Sequence, residues 1–448
     1  MPASPSTARV INDRLALRLL QQQGPLTAGQ LKQLTGLSRP TVADLVERLT
    51  ASGLITVVGE SGEQRRGPNA RLHGIVADRA HLAALDVRTE SVSVIVADLL
   101  GRELAAESVP IGGDAGTGPA LEQAVALVER VVKEAGAERL HTVGIGAPGL
   151  IDPGTGELRD STGLPEWHRR LVAVLQERLP RARVTVENET NLAALAEQRD
   201  GAARDRDTFV LLWLGHGAGA AVVLDGTLRR GASGGTGEIG FLPVPGTAGL
   251  PSATGCADGF HSLVGATAVA ELAEQHGLLA ESTGSEGIDL EGADAEPVAA
   301  RRVRAAARVI TGATASAAGS ASDGGTSAGA SPAGVGEGVR VGEGAVGGAL
   351  VEDVAAASRF LDALADRVAL GVASVVAVLD PGCVVLGGEI GQAGGEALVA
   401  RVAERVARMS PLRTEVRASA LGGRAVLRGA LATARDRAQD DLFTPPER

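Results

Sequence analysis

Apolar residues in the first 76 positions recur every three or four residues, and glycine or proline interrupts the pattern. This pattern predicts three short helices, of which the first spans about 12–23. The second follows Thr27, where Thr27 and Gln30 can form a capping box. The third follows the N-cap candidate Ser38 and carries one apolar stripe of Val42, Leu45, Val46 and Leu49. Two apolar runs, 54–58 and 71–76, then predict a β-hairpin, which completes the order of a winged helix-turn-helix.

From residue 80 the pattern alternates between strand-like and helix-like segments, which indicates an α/β fold. Two strand-turn-strand units stand out, at 82–100 and 208–231, each inside its own α/β stretch. This duplication predicts two lobes with a ligand cleft between them. Helical patterns dominate from 262 onward, and we predict one strand there, at 382–388. Residues 311–349 are a low-complexity stretch of Gly, Ala and Ser, which predicts a disordered insertion or loop.

Charge is unevenly distributed along the chain. Residues 1–75 hold nine Lys/Arg against five Asp/Glu, so this head carries +4 while the whole chain carries −11. A basic head on an acidic body is typical of a DNA-binding module joined to another domain, with a protein-interaction module as the alternative. The DNA-binding candidates lie on the third helix and in the hairpin loop: Ser38, Arg39, Thr41, Arg48, Arg65, Arg66, Gly67 and Asn69.

Other compositional features exclude some classes of protein. The chain has two cysteines, far apart, which is too few for a four-cysteine metal site and fits a reducing compartment. The longest apolar run, 368–379, is short for a membrane span, and the N-terminal segment lacks the features of a signal peptide. We therefore predict a cytoplasmic protein with no membrane partner.

Several stretches carry a specific resemblance. They are "TVGIGAPGLIDPGTGEL", "LPEW", "VENETNLAALAE", "LGHGAGAAVVLDGTLRRGASGGTGEIG" and "VLDPGCVVLGGEI", and they occur in one order over residues 9–435. In these motifs the chain resembles the ROK family (repressors, open reading frames, kinases), in its transcription-regulator branch. The resemblance implies an N-terminal winged helix-turn-helix at 9–76. A two-lobed actin-like, sugar-kinase (ribonuclease H-like) fold follows, with lobes at 80–185 and 186–435.

The resemblance also implies where a phosphate loop would stand. ROK kinases carry Asp-x-Gly-Gly-Thr in the first hairpin, and here Asp86 is followed by Arg88, Thr89 and Glu90. Side chains and a negative charge at a turn that needs bare backbone N–H groups predict that phosphate binding is lost. The alternative is that Arg88 compensates. We expect no catalytic residue and no cofactor.

The sugar-binding positions of the family map onto Gly149, Asn188, Glu189 and Glu238. Glu189 replaces the catalytic aspartate of the kinases. Phe241 replaces a histidine that binds zinc in the family, and only Cys256 remains of the family's cysteines, so we expect no metal.

These inferences predict a DNA-binding repressor of carbohydrate-related genes. It would bind an operator in double-stranded DNA as a homodimer or a dimer of dimers and respond to a sugar or sugar derivative. Two alternatives are an active ROK sugar kinase with an accessory head and a dimeric scaffold without an effector.

Overall fold

The computed structural model describes residues 5–61, 70–112, 116–137, 139–159, 164–252, 257–278, 296–322 and 343–443. The head begins with three helices that surround one apolar core. Its three strands form an antiparallel sheet in the order β1-β3-β2. The head elements are α1 (Pro5–Gln23), β1 (Leu26–Thr27), α2 (Ala28–Thr35), α3 (Arg39–Ala51), β2 (Ile55–Glu60) and β3 (Arg71–Ile75).

Local capping signals explain where the head helices begin and end. Thr27 and Gln30 form the capping box in front of α2, and Gly36 ends that helix in the left-handed conformation, with φ 70°. Ser38 caps α3, with its hydroxyl accepting from the backbone N–H of Thr41. Val42, Leu45 and Leu49 of the predicted stripe are buried. The three-helix and hairpin order predicted from the sequence is therefore present.

The first lobe is a five-stranded sheet in the order β6-β5-β4-β7-β8. Strands β4, β5 and β6 are antiparallel neighbours, whereas β4, β7 and β8 run parallel. One face packs against α4 and α5. The elements are β4 (His81–Val87), β5 (Ser91–Asp98), β6 (Glu103–Pro110), α4 (Thr117–Glu134), β7 (Leu140–Ala147), α5 (Glu166–Arg178) and β8 (Arg183–Asn188). Since β8 extends to Asn188, the proposed boundary between the lobes moves from 185/186 to after that residue.

The second lobe repeats this plan with a sheet in the order β11-β10-β9-β12-β13. Its outer face packs against α8, α9, α10 and α11. The elements are α6 (Glu189–Asp200), β9 (Phe209–Leu214), β10 (Ala218–Leu224), β11 (Thr227–Arg229), α7 (His261–Val264), α8 (Ala266–Gln275), α9 (Val298–Ser322), α10 (Glu343–Leu379), β12 (Cys383–Gly387), α11 (Gly388–Met409), β13 (Glu415–Ala418) and α12 (Ala425–Phe443).

Helices α6 and α12 lie between the two sheets and form a shared core with both of them. The two helices approach so closely that a Cβ at Gly429 would overlap the backbone carbonyl of Leu192. Glycine is therefore required at this crossing. This packing places the two hairpin turns, 88–90 and 215–217, on the same cleft.

Two predictions were wrong in detail. Strand β13 was missed, because its sequence "EVRA" is short and charged, as is common on the edge of a sheet. The low-complexity stretch 311–349 is not a loop throughout, since α9 continues to Ser322 and α10 begins at Glu343. An alanine-rich sequence has high helix propensity, which outweighed its low complexity. Residues 323–342 lie outside the described part of the chain.

The head and the body share one apolar cluster. Leu17 and Leu20 of α1 belong to the same cluster as Leu99 at the end of β5 and Phe443 at the end of α12. A backbone hydrogen bond of 2.9 Å from Leu99 N to Ala77 O also joins the linker to the first lobe. The head is therefore packed against the body.

Candidate functional site

The N-terminus of α3 presents polar side chains at the surface of the head. Ser38 and Arg39 are exposed, and Thr41 is half-buried. The two hydroxyl groups of Ser38 and Thr41 lie 2.7 Å apart, and the Ser38 hydroxyl also accepts from Thr41 N at 3.3 Å. The cap fixes the start of the helix and leaves the Arg39 guanidinium at a helix N-terminus, the arrangement that reads DNA in helix-turn-helix proteins.

Arg48 lies in a different environment from the one predicted. Its guanidinium donates to Asp13 of α1 at 2.6 Å and also pairs with Asp44. The hydrogen bond to Asp13 raises the pKa of Arg48, and burial opposes that effect. Both partners hold the guanidinium against the head, so Arg48 joins α3 to α1 instead of standing free for a phosphate. Its direct contact with DNA stays a prediction that this pairing disfavours.

The predicted loop residues Arg65, Arg66, Gly67 and Asn69 lie outside the described residues. Strands β2 and β3 are described on either side of the loop. A backbone hydrogen bond of 2.8 Å from Ser61 N to Ala70 O closes its base. The described part of the hairpin therefore ends at Ser61 and resumes at Ala70.

In the first hairpin of the body, Arg88 spans the cleft. Its Nε and Nη2 each donate to Asp86 Oδ2 at 3.1 Å, and its Nη1 donates to Glu389 Oε1 at the start of α11. Asp86 belongs to the first sheet, whereas Glu389 follows β12 of the second sheet. The guanidinium thus joins the two lobes beside the turn where a phosphate loop would expose backbone N–H groups. We call the group Asp86, Arg88 and Glu389 the interlobe clasp.

The sequence pattern did not predict a role for Glu389, although this residue belongs to the motif "VVLGGEI". Its second oxygen, Oε2, is buried and has no hydrogen-bond partner within the described residues. This oxygen lies over Gly215 in the second hairpin turn, where an added Cβ would overlap it. Gly388, with φ 75°, lets the chain turn from β12 into α11 in direct contact with the backbone of Leu214. The clasp therefore reaches the turns of both hairpins.

Asn188, Gly149 and Glu189 meet at the carboxyl ends of β7 and β8. Asn188 Nδ2 donates to Gly149 O at 3.1 Å and to Glu189 Oε2 at 2.9 Å. Asn188 Oδ1 accepts from Thr190 N and Asn191 N and so caps α6. Gly149 has φ 109°, a conformation that favours glycine. The Asn188 amide thus makes its hydrogen bonds within the protein, and one of them orients the Glu189 carboxyl group.

Glu238 follows a turn that brings it toward Glu189. Gly237, with φ 92°, lies so close to the carbonyl of Ala220 that a Cβ would overlap it. Burial raises the pKa of Glu238. Burial also raises the pKa of Glu189 to about 8, and the negative charges of Glu238, Asp86 and Glu389 add to the effect. All four carboxyl groups therefore share one cleft, and at neutral pH Glu189 is mainly protonated.

A zinc site does not fit the residues at this position. Phe241 is 40% exposed beside the Glu238 turn and offers no ligand atom. Cys256 is outside the described residues, and His261 is half-buried over Gly217 of the second hairpin turn. Among the described residues there is no group of three His, Cys, Asp or Glu side chains arranged to hold a metal ion.

Comparison with known protein families identifies the family of this chain. The sequence model of the ROK family matches residues 82–320 and 348–437, and that of the MarR family matches residues 12–67. The chain belongs to the ROK family. Residues 321–347 fall between the two matched segments. No helix among the described residues has an apolar stretch long enough to cross a membrane.

Individual proteins resemble this chain over different shares of its length. The xylose repressor of Caldicellulosiruptor bescii is 26% identical over 240 residues, which is 52% of this chain and 59% of the repressor. The chain thus spans about three fifths of that relative. The crystal structure of a ROK family transcriptional regulator, a homologue of the E. coli MLC protein, has a TM-score of 0.67 at 18% identity and covers 97% of this chain and 98% of its own. A ROK hexokinase of Thermus thermophilus has a TM-score of 0.55 at 26% identity and covers 80% and 99%.

The fold predicted from the sequence, a winged helix-turn-helix followed by a two-lobed α/β sugar-kinase-like body, is confirmed by these matches. The likeness to the regulator at 18% identity concerns the fold alone. The interlobe clasp is formed by this chain's own residues. It is relevant to whether the body acts as a kinase or as part of a regulator.

Proposed function

We propose that this protein is a DNA-binding transcriptional repressor whose sugar-kinase-like body binds a sugar or sugar derivative without phosphorylating it. The head at residues 9–76 would bind double-stranded DNA as part of a homodimer, because one small module buries too little surface for tight specific binding. The similarity to a xylose repressor supports this proposal. The observation that carries the non-catalytic part of this proposal is the interlobe clasp, in which an arginine paired with two carboxylates stands in the first hairpin turn.

The clasp disfavours a kinase reaction for an electrostatic reason. The positive charge of Arg88 is already balanced by Asp86 and Glu389. An incoming triphosphate would have to displace the Glu389 carboxylate and leave it buried beside further negative charge. A flexible guanidinium also cannot replace the set of backbone N–H donors that a glycine turn provides.

Glu189 is mainly in the protonated form at neutral pH. With its pKa raised to about 8, only a minor fraction of this carboxyl is in the ionised form that accepts a proton from a sugar hydroxyl. A protonated carboxyl can instead donate a hydrogen bond to a ligand oxygen while Asn188 holds its other oxygen. We therefore place the effector in the cleft beside Glu189, Glu238 and Gly149, with Asn188 as a positioning residue.

The DNA-binding part is tested with paired variants. Arg39→Ala combined with Arg65→Ala removes one cation at the start of α3 and one in the hairpin loop. We expect DNA retention to be lost in a fluorescence anisotropy assay with fragments that co-purify with the protein, while the melting temperature stays unchanged. Arg170→Ala with Arg181→Ala, two exposed cations of the body, is the matched control. Equal DNA affinity in both double variants would contradict the assigned face.

The absence of catalysis is tested by an ATP-coupled assay on a panel of hexoses, pentoses and amino sugars. We expect no turnover with any of them, and clear turnover would favour the alternative of a sugar kinase with an accessory head.

The same panel of sugars in a thermal-shift assay tests whether the body binds a sugar effector. A rise in melting temperature with at least one sugar is expected, and no response to any sugar would favour the scaffold alternative.

A further inference from the structure

A cavity of about 550 Å³ lies between the head and the body, away from the interlobe cleft. Its walls come from the end of α1, from the hairpin strands, from the turn after β5, and from α6 and α12. This volume falls within the range of roughly 300–1,000 Å³ that is usual for small-molecule sites. The cavity thus joins the two parts of the chain that the proposed function would couple.

The cavity wall has an aliphatic side and a polar side, and the polar side includes Gln21 and Gln22. Leu20, Pro25, Val58, Ile75 and Leu100 line the aliphatic side, and no aromatic side chain lines the cavity. Val58 is 50% exposed and Leu100 is 38% exposed, so both retain apolar surface that a ligand could cover. Covering apolar surface is favourable at about 25 cal/mol per Å². Such a wall suits an amphipathic ligand, with a saturated hydrocarbon chain against the aliphatic side and a charged group against the polar side.

One end of the cavity carries a positively charged group with unused hydrogen-bonding capacity. The Arg435 side chain is 21% exposed, and its Nε has no hydrogen-bond partner within the described residues. The nearest carboxylate in ion-pair contact, that of Asp436, is 3.9 Å from this Nε and is held by Arg199 at 2.6 Å. Arg199 also lines the cavity, as does one acidic residue, Asp200. Burial and then the charge of Arg199 lower the pKa of Arg435.

We propose that this junction cavity binds an aliphatic carboxylate, with the carboxylate on the Arg435 guanidinium and the hydrocarbon chain against Val58 and Leu100. An anion there would pair with the Arg435 guanidinium, whose Nη1 also donates to Leu100 O at 3.5 Å, and would reduce the repulsion between the two guanidinium groups. The ligand would contact the hairpin of the head and α12 of the body at once. This site is separate from the sugar cleft, and its existence does not depend on the proposed function.

The probe for the test is octanoate, titrated into the full-length protein by isothermal calorimetry without DNA or sugar. Octanamide is the uncharged probe of the same length. Val58→Trp fills the cavity, and Val57→Trp, the neighbouring exposed residue that does not line it, is the matched control. Arg435→Gln removes the cation, and Arg428→Gln, exposed on the same helix, is its control. Melting temperatures verify that each variant is folded.

We expect millimolar or tighter binding of octanoate to the wild type, with octanamide at least about tenfold weaker. Val58→Trp and Arg435→Gln should each weaken octanoate binding by about tenfold or more, while the two control variants bind as the wild type does. Equal affinity for octanoate and octanamide would overturn the proposal, as would wild-type affinity in Val58→Trp. No binding of octanoate to the wild type at millimolar concentration would also overturn it.

Discussion

At the scale of single residues, the chemistry of the cleft depends on one arginine. A glycine turn in the first hairpin would leave backbone N–H groups open to a phosphate, whereas Arg88 here carries a side chain that pairs with Asp86 and Glu389. Its two partners come from different sheets, and Asp86 is only 3% exposed. A charge so buried needs its partner, because removing one member of a buried pair leaves the other uncompensated.

The first prediction concerns the coupling within the clasp. Arg88→Met should lower the free energy of unfolding by about 3 kcal/mol, since Asp86 and Glu389 lose their counter-ion. Glu389→Gln should be milder, because Arg88 retains Asp86. In urea unfolding, the variant that carries both changes should lose less free energy of unfolding than the sum of the two single losses. The difference should exceed about 1 kcal/mol. Additive effects would mean that the Arg88–Glu389 contact contributes nothing.

The second prediction concerns Glu189 and pH. The folded protein raises the pKa of this carboxyl from 4.5 to about 8. Between these pH values the unfolded chain releases the proton that the folded protein keeps. The contribution of this group to stability is therefore fully present below about pH 4.5 and is lost as the pH rises to about 8.

Glu189→Gln carries no titratable proton, so its melting temperature relative to the wild type should rise by a few degrees between pH 5 and pH 8. Calorimetry at several pH values measures this difference. Glu177→Gln, an exposed position on α5, is the control and should show no such trend. A Glu189→Gln difference that does not change with pH would refute the raised pKa.

At the scale of elements, α3 is placed by its cap and by its contact with α1. Ser38 fixes where the helix begins, and the Arg48–Asp13 pair fixes how it lies on the head. A recognition helix contacts DNA through its first turn, so a change in its orientation affects binding even without a lost phosphate contact. Arg39 and Arg48 therefore have different roles on the same helix.

The third prediction separates these roles by salt dependence. Arg39→Ala should weaken DNA binding and reduce the slope of log affinity against log salt concentration by about 1. Arg48→Ala should lower the free energy of unfolding by about 1 kcal/mol and weaken binding while the slope stays as in the wild type. Fluorescence anisotropy across a salt series measures both. A reduced slope for Arg48→Ala would show that this residue contacts a phosphate directly.

At the scale of the whole molecule, the head and the body are joined by a common core and enclose the junction cavity. Phe443 is 7% exposed and packs in the cluster that also contains Leu17 of α1. A ligand can change the position of the head only if it binds one arrangement of this junction better than another. The last residues of α12 thus belong to the core that holds the head against the body.

The fourth prediction tests this connection. Phe443→Ala should cost about 3 kcal/mol of unfolding free energy, as is usual for a buried phenylalanine. Amide hydrogen exchange in α1 should become faster than in the wild type, although α1 is distant in sequence. Val378→Ala, a change at a residue that is 82% exposed, serves as the control. Unchanged exchange in α1 would show that the head does not depend on α12.

The sequence by itself determined the elements and their order. Caps at Thr27 and Ser38, apolar stripes and strand alternation act over a few residues, so they can be recognised without the fold. The duplicated hairpins and the family motifs predicted the two-lobed body, and the motifs pointed to Arg88, Thr89 and Glu90 as the altered positions. The short edge strand β13 and the helical ends of the low-complexity stretch were not predicted, because their local sequence patterns are weak or ambiguous.

Only the tertiary structure decided what these residues contact. Arg88 and Glu389 are 301 positions apart, and Arg48 and Asp13 are 35 apart. The Asn188 amide, expected to hold a ligand, is used to cap α6 and to orient Glu189. Periodicity records which face of an element is buried, but the partner across the interface depends on how the whole chain folds back. The clasp, the raised pKa of Glu189 and the junction cavity all arise from such long-range contacts.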